Sequence, residues 1–250
     1  MENMIYEAKK LIRNNLGITI DRIKPTIINE AVNLDKGAIF IAVPKTGSTS
    51  IREQIQQKGD PIIPNHHLTI CQIRDLIYVY LLKTTLGNNY SFPTKEVPED
   101  LDLRKKAQEI FDSCFKFSAV RNPWARTVSL YFRNEGVPVK NKISFEEFCE
   151  QHLYASDTCV NPTLNKNQCD WHYDENGQNL MDYVFKIENF KEAIIDIKEL
   201  TNGKIDLKEI TKNRNPHSQS KNYREMYTDY TKKLIAKRFE KDIDVFNYTF

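Results

Sequence analysis

The sequence is poor in the features that mark several functional classes. It holds no apolar run approaching the ~18 residues of a membrane-crossing helix. Its opening, MENMIYEAKKLIRNNLGITI, lacks the apolar centre of a secretory signal. The five cysteines (Cys71, Cys114, Cys149, Cys159, Cys169) are odd in number and include no CxxC pair, which argues against a zinc site and a disulfide framework. Cys159 and Cys169 are close enough in sequence for one bridge, but reduced thiols fit a chain without a signal, and a cytoplasmic protein is expected. An excess of one charge is missing too: 36 Lys+Arg stand against 34 Asp+Glu, a formal net of +2. That balance argues against nucleic acid bound along the chain and leaves room for a local anion site. No internal repeat or low-complexity tract is present.

What is present is a globular composition. With 40% hydrophobic residues the chain buries a core, so disorder is excluded. Residues 1–36 are polar, with Ile5, Leu11, Ile12 and Leu16 as scattered apolar positions, and read as an N-terminal arm or helix. Residues 37–250 read as one domain. Continuous apolar runs at 38–43, 115–120 and 183–187 predict buried strands. Helices are expected from about 51, over 69–82 and 101–112, at 124–132, at 189–200 and over 223–245. Ser144 and Glu147 form a capping-box pattern ahead of another. This alternation predicts an α/β fold: three layers, P-loop-like, with a mainly parallel central sheet flanked by helices.

Two segments carry chemistry. The first strand runs into Lys45-Thr46-Gly47-Ser48-Thr49-Ser50 and then a helix. A helix N-terminus presents unpaired N–H groups and the positive end of the dipole. A glycine there admits close approach of a phosphate, and a lysine adds charge. Lys45 precedes the glycine, so GxxxxGK[ST] does not fit, and no Walker B aspartate ends a later strand. The second segment is Arg121, at the carboxyl edge of the second strand, with Ser129 eight residues on in the following helix. A guanidinium and a hydroxyl form a phosphate clamp at the edge where open α/β sheets bind ligands.

Together AVPKTGSTSI and VRNPWARTVSLYF resemble the two donor-binding signatures of the sulfotransferase family. The likeness continues through HLTICQIRDL, SFEEFCE, NQCDWHYDENG, YVFKIENF and the last segment, so it spans about 38–250, and it is nearest the carbohydrate branch. It implies 3′-phosphoadenosine 5′-phosphosulfate (PAPS) as co-substrate and no metal. It implies Lys45 at the bridging oxygen and the sulfuryl group, and Thr46, Gly47, Ser48, Thr49 and Ser50 around the 5′-phosphate. Arg121 and Ser129 match the 3′-phosphate pair, and the basic loop 212–221 matches the segment that closes over adenosine.

The family's HxTxxxIR pattern fits His67-Leu68-Thr69-Ile70-Cys71-Gln72-Ile73-Arg74, which makes His67 the implied general base and His66 its neighbour. The implied acceptor is a hydroxyl of a carbohydrate; without the anchor and stem of Golgi members, a bacterial or viral enzyme acting on a cytoplasmic glycan precursor or glycolipid is expected. Glu188 reads as an acceptor-side carboxylate or a structural ion pair, and Arg74 as facing acceptor or solvent. Trp124 reads as core, Trp171 as a sugar platform or loop anchor, and His152, His172 and His217 as surface or loop residues. The competing readings are a P-loop kinase using ATP and magnesium, and an inactive nucleotide- or glycan-binding module. The oligomeric state is not legible.

Overall fold

The runs found in the sequence become three neighbouring strands of one sheet in the computed structural model, which describes residues 24–86, 99–132, 143–151, 166–209 and 222–250. Two short strands, β1 (Thr26–Ile27) and β2 (Val32–Asn33), precede β3 (Ala38–Ile41). Helix α1 (Ser48–Ile55), strand β4 (Asp60–Pro61) and helices α2 (Ile70–Leu86) and α3 (Leu101–Ser113) follow. Next come β5 (Phe115–Val120), α4 (Pro123–Tyr131), α5 (Phe145–Glu150), β6 (Tyr183–Lys186) and α6 (Phe190–Leu200). Helices α7 (Asp229–Arg238) and α8 (Glu240–Phe246) complete the order.

The main sheet runs β2-β3-β5-β6, with β2 antiparallel to β3 and the other two pairings parallel. β1 pairs in parallel with β4 as a separate two-stranded unit. The part of the N-terminal region that is described, from Lys24 on, therefore feeds an edge strand into the main sheet. The two faces of β3 explain the layering, because strand side chains alternate. Ile39, Ile41 and Val43 join α2 and Phe111 of α3 in one core. Ala38, Phe40 and Ala42 meet Ile51 and Ile55 of α1 and Ala193 and Ile197 of α6 in the other. A third cluster joins α4 and α5 to α7 through Trp124, Val128, Phe148, Ile235 and Phe239.

The expected three-layer α/β fold is present. Local chemistry sets the helix starts: Asp100 accepts from Leu103 N, Asn122 from Trp124 N and Ala125 N ahead of Pro123, and Ser144 from Glu147 N. The expected helix over 223–245 is broken into a 3₁₀ turn, α7 and α8. Thr228 and Thr231 form a capping box that starts α7, and Phe239, buried in the third core, leaves helical geometry between α7 and α8. His172, read as a surface or loop residue, lies in the turn after Trp171 and is 1% exposed; that turn carries both side chains inward. Trp171 is the loop anchor of the two readings, buried in the α2 core, and Trp124 is core with its Nε1 donating to Lys232 O at 3.1 Å. Cys71, Cys114, Cys149 and Cys169 are free thiols among the described residues. Cys159, His152, His217 and the loop 212–221 lie outside them.

Candidate active site

β3 and β5 are adjacent and parallel, so their carboxyl ends deliver Lys45 and Arg121 to the same edge of the sheet. The segment leaving β3 is held carbonyl by carbonyl. Ile41 O accepts from Ser118 Oγ (2.8 Å) and Ala42 O from His67 Nδ1 (2.6 Å). Val43 O accepts from Thr46 Oγ1 (2.8 Å), Pro44 O from Arg126 Nε (3.1 Å) and Lys45 O from Arg121 Nη1 (3.3 Å). Five successive carbonyls are committed to side chains, which fixes the path of the loop into α1.

The turn itself uses left-handed backbone at Lys45 (φ 68°) and at Gly47 (φ 78°). Left-handed residues among right-handed ones gather amide N–H groups into an anion-binding concavity. α3, α4, α5 and α7 begin with a side-chain cap, whereas Gly47 at the head of α1 supplies none, and the first turn of α1 carries no acidic residue. Ser48 is buried, and Thr49 and Ser50 are half-buried beside it on α1. The Thr46 hydroxyl, expected among the phosphate donors, gives its proton to Val43 O instead.

Arg121 is fastened through its backbone. Gln168 Oε1 accepts from Arg121 N and Gln168 Nε2 donates to Arg121 O, both at 2.8 Å. Gln168 is held in turn by the buried carboxylate of Asp242, which also accepts from Cys169 N. Burial pulls the Arg121 guanidinium down from its ordinary pKa, opposed by Glu188 and Tyr248. Glu188 Oε1 accepts from Asn122 N (2.8 Å), and its carboxylate lies near enough to Arg121 to oppose the effect of burial on the guanidinium. Ser129, on α4, is that helix's one position that is not buried.

On the other side of the loop, His66 and His67 lie with ring centroids 4.1 Å apart. A carbonyl only accepts, so His67 Nδ1 carries its proton toward Ala42 O and the lone pair sits on Nε2. Burial, then His67 and Arg52, push the His66 pKa to about 3, so it stays neutral. Arg74 turns to Glu175 at 2.8 Å. Among the described residues no group of three or more His, Cys, Asp or Glu is gathered as a metal would need, and no helix is long and apolar enough to cross a membrane.

Sequence reasoning missed Arg126, Gln168 and Asp242. Arg126 had a signal, the one charged residue inside α4. It is 1% exposed, near Asp242, and burial brings its pKa down to about 10. Gln168 and Asp242 had none, because their partners are set by tertiary contact 74 residues apart in the chain.

An uncapped helix start, a left-handed lysine and an arginine from the neighbouring strand meet at one edge of an α/β sheet. The chain belongs to the Sulfotransferase family, whose model matches residues 31–249, a family that includes carbohydrate sulfotransferases. It is a sulfotransferase, moving a sulfuryl group to an acceptor. No curated protein and no solved structure matches the chain.

Proposed function

We propose that this chain moves the sulfuryl group of PAPS in line onto a hydroxyl of a carbohydrate or glycolipid, in the cytoplasm, with His67 as general base. The observation that carries the reading is the contact of Arg121 Nη1 with Lys45 O, which couples the two donor signatures at one sheet edge. Lys45 and the amides at the start of α1 take up the charge that grows on the leaving 5′-phosphate, a purely electrostatic stabilisation. Thr46 and Gly47 contribute backbone, and Ser48, Thr49 and Ser50 add hydroxyls. Arg121 and Ser129 grip the 3′-phosphate.

In the reaction the acceptor oxygen bonds to sulfur as the bond from sulfur to the bridging oxygen breaks. The acceptor proton passes to His67 Nε2. Ala42 O, already on Nδ1, stabilises the imidazolium that forms. His66 remains neutral beside it, so the pair carries one positive charge and not two. Such a base is worth about 10²–10⁴ in rate. The carbohydrate acceptor is favoured by the composition of the family.

The test begins with thermal shift. A ligand at about a hundred times its Kd stabilises by roughly 2.7 kcal/mol. Adenosine 3′,5′-bisphosphate is expected to raise Tm and ATP with magnesium to leave it unchanged. Labelled donor then reports transfer to a panel of sugars, where His67→Ala loses turnover and keeps bisphosphate binding. A shift with ATP alone, or full turnover in His67→Ala, overturns the reading.

A further inference from the structure

The segment after α8 is tied to the Arg121 clamp at every step. Asn247 leaves the helix in left-handed geometry (φ 49°), and its carbonyl accepts from Lys186 Nζ at 3.2 Å. The Tyr248 hydroxyl donates to Glu188 Oε2 at 3.2 Å, while the other oxygen of the same carboxylate takes Asn122 N. Thr249 O accepts from Asn122 Nδ2 at 2.8 Å. Phe250 then seats edge-on against Trp124, Tyr223 and Tyr227, with ring centroids 5.5, 5.9 and 5.5 Å away. The Lys232 ammonium lies 4.2 Å above its ring centroid.

Asn122 is the residue next to Arg121 and the N-cap of the helix that carries Ser129. A strap that fixes Asn122 therefore fixes the strand end holding the guanidinium and the helix start that sets the hydroxyl. Burial beside Glu188 raises the Tyr248 pKa, so the phenol stays a donor across the working range.

We propose that Asn247–Phe250 is a positioning strap for the 3′-phosphate clamp, Phe250 being its anchor and Tyr248 and Thr249 the links that carry the hold, through Glu188 and Asn122, to Arg121 and Ser129. The assignment rests on the donor reading above, and it gives the residues beyond α8 a part in selectivity for the 3′-phosphate.

The test is calorimetric titration of the full chain with adenosine 3′,5′-bisphosphate and with adenosine 5′-monophosphate. Tyr248→Phe raises the bisphosphate Kd about fivefold, the scale of one modest hydrogen bond, and leaves the monophosphate Kd within about twofold. Phe250→Ala acts in the same direction, and Phe250→Tyr restores the wild-type ratio. Tyr183→Phe removes a phenol–carboxylate bond to Asp196 (2.5 Å) remote from the clamp and serves as the control for stability alone. It lowers Tm without moving the ratio of the two constants. Tyr248→Phe and Phe250→Ala variants that fold and keep the wild-type ratio overturn the strap. Wild-type protein with no preference for the bisphosphate overturns the donor reading itself, and the strap with it.

Discussion

Replacing Gly47 by alanine tests the loop at its most constrained point. Gly47 sits at φ 78°, ψ 16°, where an L side chain meets its own backbone. That conformation costs a residue with a Cβ about 1–2 kcal/mol. The new Cβ also lies 3.0 Å from Ile187 Cδ1 and 3.1 Å from Ile187 Cγ1. Ile187 is only partly buried, so its side chain yields by a few tenths of an ångström, and this contact adds about 0.5 kcal/mol. A total of about 2 kcal/mol corresponds to a Tm loss of roughly 4–8 °C for a chain of this size. A double-mutant cycle separates the two causes. Ile187→Ala removes both Cδ1 and Cγ1, so Gly47→Ala made on that background recovers the contact share, about 0.5 kcal/mol, and retains the backbone share. Calorimetric melting of the four proteins gives every leg. A Gly47→Ala protein that melts within about 1 °C of wild type refutes the left-handed cap, and a cycle with no coupling refutes the contact with Ile187.

Arg126→Met leaves the Pro44 carbonyl and the Asp242 carboxylate buried without their cation; a loss of about 3 kcal/mol is expected, read as a lower urea midpoint at unchanged slope. Thr46→Val removes the bond to Val43 O at nearly constant volume and lowers stability by about 1 kcal/mol in the same assay. His172 has its pKa lowered from 6.5 to about 3 by burial, so below pH 6.5 the unfolded chain takes up a proton that the folded chain refuses. Stability therefore falls as the pH drops from 6.5 toward 3, and by about 2 kcal/mol at pH 5. Melting curves between pH 7.5 and 5 measure the slope; His172→Phe flattens it, and His66 adds a contribution of the same sign.

The strand at 38–41 was legible because it is buried on both faces and so reads as an unbroken apolar run, and those at 115–120 and 183–186 because their apolar and aromatic residues are only briefly interrupted by Lys116, Ser118 and Lys186. Lys45, Gly47 and Arg121 were legible because they stand directly at strand ends, where position in the chain dictates position in space. The split between α7 and α8 was not legible, since the pull of the third core on Phe239 leaves no local sign. His172 misled for a related reason: a polar residue in a polar stretch reads as exposed until its neighbours are known. Asp242 and Gln168 are ordinary helix and loop residues by sequence, and only the closed fold makes them the fastening of Arg121.

The parallel pairing of β3 with β5 has a bearing on the order of folding. Ser118 and Ile41 bond across 77 positions, and Asn122 reaches Thr249 across 127. No hairpin can nucleate contacts of that span, and long closures slow folding. The segment that leaves β3 is therefore fixed only after β5 has joined the sheet, and the start of α4 gains its last bond only when Thr249 arrives. On the donor reading proposed above, the bisphosphate binds the completed fold alone, so it is expected to retard unfolding and leave the refolding rate as it was.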